Sequence, residues 1–201
     1  AAQGYVPASI GEVSRPYFYD IGEHNWIWGY DMTTEIAMKN PYATSSAWIR
    51  SFSGDGYSAG TQVYSCINNL LYEKIPESDV RKGWWVDASL QSPLLEYVTW
   101  DGVSGNAVAG LMIDNVKMAF LPYTNVKFGM NTVGGTLNDD DWPFMRVEEM
   151  ILIQVEGLAK SGSPAQAKAM LEDFVRTYRD PAYSADASGR SLEDEIWFQR
   201  R

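Results

Sequence analysis

Asp141-Trp142-Pro143-Phe144-Met145-Arg146-Val147-Glu148-Glu149-Met150-Ile151-Leu152-Ile153-Gln154-Val155-Glu156-Gly157-Leu158-Ala159-Lys160-Ser161-Gly162 is the stretch on which the fold turns. Phe144, Val147, Ile151, Val155 and Leu158 recur at three- and four-residue intervals, with Met145, Leu152 and Ala159 as an adjoining stripe. That is the period of an amphipathic helix, and a stripe so wide implies packing on more than one side. The helix is expected to open at Asp141, whose carboxylate suits the free amides of a first turn, with Trp142 and Pro143 following. Acidic Asp139 to Asp141 also suit the positive end of a helix dipole. Gly162 ends the helix.

Beyond it, Ser163-Pro164-Ala165-Gln166 carries a capping-box pattern with proline in the first turn. Ala167, Leu171, Phe174 and Tyr178 line one face of a second helix, which Asp180-Pro181 closes because the residue before proline leaves the helical region. Ser191 with Asp194 repeats the start signal for a third helix reaching Arg201. Two helices joined by about three residues make an antiparallel hairpin.

Residues 1–138 are written differently. They are rich in Gly, Pro, Ser, Asn and aromatic residues, and periodic runs are brief, the composition of loops with short helices and strands. Cys66–Tyr72 is expected as a short helix, and Asn115–Phe120 and Asn125–Phe128 alternate as short strands do. The chain therefore divides into a loop-rich, aromatic-rich region, 1–138, and a helical unit, 139–201. The fold expected is mainly α with extensive irregular loops: a helical hairpin packed on a loop-rich region with a few short strands.

The chain has 201 residues, with 16 Lys+Arg against 26 Asp+Glu and a formal charge of −10. Such a balance repels phosphate backbones, so nucleic acid is excluded as a partner. One His and one Cys exclude most zinc sites and any internal disulfide, and Cys66 is expected to be a small buried hydrophobe. No stretch approaches the roughly 20 apolar residues that span a bilayer.

Eight Trp, 12 Tyr and 7 Phe, 13% of the chain, remain to be explained. Trp26, Trp28 and Tyr30 alternate, which in an extended segment places three rings on one face. A flat apolar surface edged by N–H and O–H groups suits the C–H face of a sugar. Asn25 and Asp31, with His24 and Glu35 near them, are candidates for hydrogen bonds to sugar hydroxyls. Trp48, Phe52 and Tyr57, around Ser53-Gly54-Asp55-Gly56, form a second candidate cluster. Trp84-Trp85 is expected to pack, and Trp100 with Asp101-Gly102 to form a turn. Arg146 and Glu149 are spaced for an ion pair on one helix.

Catalysis has little to rest on. Glycoside hydrolysis needs two carboxylates held across a bond, and the acidic runs are explained by capping and solvation. No cofactor is expected. Asp20, Glu23 and Asn25, or Asn138 to Asp141, are the candidates for calcium, but neither has the spacing of a calcium loop.

Several segments resemble one family. Asp141–Leu152 is similar to the Met-Arg-x-x-Glu helix of SusD/RagB-like glycan-binding proteins, outer-membrane lipoproteins of Bacteroidetes. Gln154–Gly162 continues it, with Val155 and Gly157 where the family usually has alanine. Val175-Arg176-Thr177-Tyr178-Arg179-Asp180 resembles its next helix, and Glu195–Arg201 the start of its Ile-x-x-x-Arg-Arg-x-Glu-Leu segment. Asn25–Asp31, Asp79–Trp84 and Val126-Lys127-Phe128 follow the family's order upstream.

The resemblance implies a tetratricopeptide-like helical scaffold beneath a loop-rich, ligand-binding half. It also implies non-catalytic binding of oligosaccharide or polysaccharide at the cell surface and delivery to a SusC-like TonB-dependent transporter. The lipid anchor and the earlier, N-terminal helical segment would lie outside this chain. Residues 144–178 are accordingly expected to expose a large apolar surface unless a partner segment covers it. The competing expectation is a helical-repeat assembly subunit with no sugar site.

Overall fold

The computed structural model describes residues 4–39, 65–97, 99–100, 103–104, 121–129 and 140–201. Among them the chain is mostly helical, with two small antiparallel sheets. The helices are α1 (Ile10–Val13), α2 (Thr34–Lys39), α3 (Asn69–Tyr72), α4 (Val147–Lys160), α5 (Pro164–Tyr178) and α6 (Leu192–Arg200). Short 3-10 turns occupy Val80–Trp84, Pro93–Tyr97 and Asp186–Ser188. The strands are β1 (Trp26–Tyr30), β2 (Thr99–Trp100), β3 (Val103–Ser104) and β4 (Trp142–Arg146); β1 pairs with β4 and β2 with β3.

The hairpin of α4 and α5 forms as its sequence demands. Ser161 caps α4, Gly162 follows at φ +87°, where a side chain would be strained, and Pro164 enters the first turn of α5. Ser163 makes no side-chain cap bond, so the expected capping box with Gln166 is absent; its backbone (φ −115°, ψ 52°) is not the extended one that aims a cap oxygen. Ser191 does cap α6, accepting from the Asp194 amide at 3.1 Å.

Leu152, Val155, Ala167, Leu171, Phe174, Val175, Tyr183, Ala185 and Ile196 make one core between the three helices and the 183–185 segment. The apolar surface expected to lie open on the hairpin is thus largely covered by α6 and residues 183–185. Of the large apolar side chains of α4 and α5, only Ile153 is exposed. The charges that enter this core are paired: Glu195 accepts from the Tyr183 hydroxyl at 2.9 Å and Gln199 Nε2 at 3.0 Å, and pairs with Arg190 at 2.7 Å.

A second core, Ala8, Val13, Phe18 and Trp26, is rimmed by Tyr17, Val80, Trp84 and Phe128. Trp84 behaves as expected of a packing residue: its ring meets Phe18 edge-on at 5.6 Å and its N–H donates to the Val13 carbonyl. Phe18 sits at φ +63°, a conformation that persists in a non-glycine residue only where the surroundings over-determine it. Here Tyr17, Trp84 and Phe128 all pack edge-on against its ring. Asp79 and Arg81 tie this half to the helices. Arg81 donates to both Asp79 oxygens and to Gln199 Oε1, and the Val80 amide donates to the Arg179 carbonyl.

Five expectations need correcting. Helix α4 begins at Val147, because 142–146 is a strand. Arg146 does not pair with Glu149: its extended backbone lays the guanidinium 4.3 Å over the Phe18 ring, and Glu149 binds Arg200 at 2.5 Å. Helix α3 starts at Asn69, where Asn68 supplies the cap; Cys66 lies before it, bridged to Thr124 and exposed rather than buried. Residues 125–128 form isolated bridges, Trp85 to Asn125 and Tyr17 to Phe128, instead of a strand. The expected strand 115–120 lies outside the described residues. Trp100 pairs with Val103 across the two residues expected to turn.

Candidate functional site

Why 142–146 is a strand can be read from Asp141. Its carboxylate accepts the Ile21 amide at 2.8 Å and the Met32 amide at 2.7 Å. Those two amides flank β1, so one side chain clamps both ends of the segment that β4 joins. Backbone bonds complete the frame, from Asp141 N to the Tyr19 carbonyl and from Val147 N to the Asn25 carbonyl. Burial raises the Asp141 carboxyl above its ordinary value, although the two amides act in the opposite direction. Both oxygens of this carboxylate are aimed at the ends of β1 and not at a helix N-terminus.

Trp26 pairs with Arg146, Trp28 with Met145, Gly29 with Pro143 and Tyr30 with Trp142, with irregularities on either side of Trp28. Such a bulge breaks the simple in-out alternation of a strand. A Cβ on Gly29 would lie 2.7 Å from the Trp26 ring and 2.9 Å from the Trp142 carbonyl oxygen. The Trp26 ring therefore occupies the Gly29 face, opposite Trp28 and Tyr30. It is buried, and its N–H donates to Glu23 at 2.8 Å. Burial lifts the Glu23 carboxyl to about 7, against the lowering effect of the Tyr19 amide and the Trp26 N–H.

The expected trio of rings is thus a pair. Trp28 and Tyr30 stay exposed, at 62% and 41%, and two rings absent from the sequence-based candidates join them. Phe144, 47% exposed, meets Trp28 edge-on at 5.2 Å between ring centres. Trp142 lies 5.8 Å from Tyr30 and 6.4 Å from Phe144. Four rings, two from each strand, form a ladder along one face of the ribbon. Reading Phe144 as a helix-packing residue hid this. Pro143 was the available signal, since it pushes Trp142 toward extended backbone and leaves Trp142, Phe144 and Arg146 in strand alternation.

The other predicted site residues fall on both sides of this boundary. Asp31 is exposed and directly follows Tyr30. Asn25 is fully buried; its amide donates to Glu148 Oε1 at 2.8 Å, so it holds the ribbon to α4 from beneath the exposed rings. His24 stands 3.8 Å from Glu12, and Glu35 is paired with Lys39. Trp48, Phe52 and Tyr57 lie outside the described residues. Asp20 and Glu23 spend oxygens on the Gly22 and Tyr19 amides, and among the described residues no group of three acidic, His or Cys side chains is placed to hold a metal.

Two layers define the class of protein: a capped helical hairpin, and a loop-rich half carrying an aromatic ribbon against it. Its fold is similar to that of a solved structure, a SusD-like carbohydrate binding protein from Bacteroides vulgatus ATCC 8482, with a TM-score of 0.60 at 18% sequence identity. The match covers 99% of this chain and 35% of that one, so the chain spans about a third of that protein's length. The SusD-like fold that the motifs imply is therefore the fold observed. No protein-family model matches the sequence, and no curated protein matches it.

Proposed function

We propose that this chain binds oligosaccharide or polysaccharide without catalysis, on the ring ladder of Trp28, Tyr30, Trp142 and Phe144. The ladder, with Trp28, Tyr30 and Phe144 exposed and Trp142 half-buried, is the observation that carries the reading. Rings presented in a row offer apolar surface to the C–H faces of successive sugars, while Asp31 and the Tyr30 hydroxyl supply polar edges. Supporting it, the SusD-like relative is described as carbohydrate binding. The acidic chain has no charge reason to attract phosphate-bearing polymers.

The wider role follows the same reading. The chain would serve at the outer-membrane surface, passing glycan to a SusC-like TonB-dependent transporter. Among the described residues no helix is long and apolar enough to cross a membrane. Residues 139–201 would be one tetratricopeptide-like unit beside further N-terminal helical segments, and residues 1–138, joined by the β4 strand of that unit, the ligand-binding region, including Trp48, Phe52 and Tyr57.

Calorimetric titration of a glycan panel against the wild type and Trp28→Ala tests this. A stacked ring contributes about 1 kcal/mol beyond area burial, so affinity should fall roughly fivefold or more. Equal affinity in a folded Trp28→Ala protein removes the ladder from the site; no binding to any glycan removes the function.

A further inference from the structure

An acidic chain hides a cationic cavity. Between the loop-rich half and the helices lies a small space of about 90 Å³, lined among others by Arg81, Lys127, Arg146, Glu148 and Arg179. Most charges near it are accounted for. Arg81 is paired with Asp79, and Glu149 with Arg200. Arg179 donates to neutral acceptors, the Gln199 carbonyl and side-chain oxygens, and stacks over Phe174 at 4.7 Å. Glu148 Oε1 is taken by the Ala8 amide and the Asn25 amide group, while its Oε2 is buried with no hydrogen-bond partner, a single negative charge against the cations of the cavity.

Lys127 and Arg146 are different. Lys127 Nζ lies over three rings, Phe128 at 4.9 Å, Trp84 at 5.4 Å and Trp85 at 5.6 Å. Arg146 lies over Phe18. Among the described residues neither has a carboxylate within ion-pair distance. Ring faces offset part of the cost of withdrawing a cation from water, but two like charges beside one cavity raise that cost again.

We infer that this cavity is an anion site, taking one carboxylate or one tetrahedral oxoanion between Lys127 and Arg146. The size of the space limits the ligand to a single such group. Arg supplies planar paired donors and Lys a compact charge, a combination suited to oxygen-rich anions. Burial and the Arg146 charge push the Lys127 ammonium down to about 7; a bound anion would reverse that shift.

Thermal unfolding of the whole chain in sulfate, phosphate or acetate, at ionic strength held constant with chloride, tests the site. At least one of the three should stabilise the protein saturably, and Lys127→Met and Arg146→Met should each weaken that affinity by about tenfold or more. No anion response in the wild type overturns the proposal, as does an equal response in both variants, which would be general screening. If the variants do not fold, wild-type crystals grown in selenate decide: anomalous density between Lys127 and Arg146 supports the site, and its absence there overturns it. This inference does not depend on the glycan reading.

Discussion

The helical hairpin and the aromatic ribbon are joined at one peptide bond, Arg146–Val147, yet they treat aromatic residues in opposite ways. In the core that the hairpin builds, Phe174 of α5 is 3% exposed and Tyr183, just beyond it, is 8% exposed. Their rings face a core whose other members are aliphatic. In the ribbon, Trp28, Tyr30 and Phe144 stand outward while Trp26 alone turns in. Burial there is delegated to polar groups: Asp141, Asn25 and Glu23 hold the strands from beneath, through bonds to amides, Glu148 and the Trp26 N–H. A region whose strands are secured by buried hydrogen bonds can leave its rings facing solvent. A region secured by its rings cannot.

The largest effect expected on either side of this comparison is Leu171→Ala. Leu171 is fully buried in the helical core, and truncation there costs about 2–5 kcal/mol. Denaturant unfolding should show that loss; a cost below 1 kcal/mol would mean the helical core is looser than its packing indicates.

On the ribbon side, pH reads the polar underside. The Glu23 carboxyl is raised from 4.5 to about 7, so the folded state holds its proton longer than the unfolded chain. Stability from this group is complete below pH 4.5 and is lost as pH rises toward 7, by roughly 3 kcal/mol. Glu23→Gln should flatten that part of the profile, and an unchanged slope would assign it to another group. Lys127 acts with the other sign. Its folded value near 7 lies below the ordinary 10.5, so its burden is greatest below 7 and is relieved as pH rises from 7 toward 10.5.

A smaller effect is expected at Gly29. A methyl group would press on the Trp26 ring and the Trp142 carbonyl, and such overpacking costs about 1–3 kcal/mol. Gly29→Ala should also perturb ring contacts on the outer face, visible as a change in tryptophan fluorescence. The smallest stability change belongs to Trp28→Ala, within about 1 kcal/mol for a ring so exposed. Its effect should appear in glycan affinity instead. A Trp28→Ala protein that loses several kcal/mol of stability would show that the ladder, too, is structural.

Sequence legibility differed along the same seam. Gly162, Pro164 and the Ser191 cap are local devices acting within a turn, so the end of α4 and the starts of α5 and α6 follow from neighbours in the chain. The alternation of Trp26, Trp28 and Tyr30 correctly indicates an extended segment for the same reason. Which face each ring takes does not follow, because the bulge around Trp28 arises from pairing with residues more than a hundred positions away.

The stretch that opened the reading shows where local order ends. From Val147 to Gly162 the periodicity is enough to identify the helix, although the contacts that reward it, Leu152 and Val155 against α5 and α6, are tertiary. From Trp142 to Arg146 the same apolar spacing fits a helix or a strand, and tertiary structure decided. Asp141 is committed to the Ile21 and Met32 amides, Pro143 disfavours a helical Trp142, and β1 offers an unpaired edge to join. The sequence by itself settled the helical hairpin; only the fold brought Trp142 and Phe144 to Trp28 and Tyr30, because strand pairing is a long-range choice that no local pattern encodes.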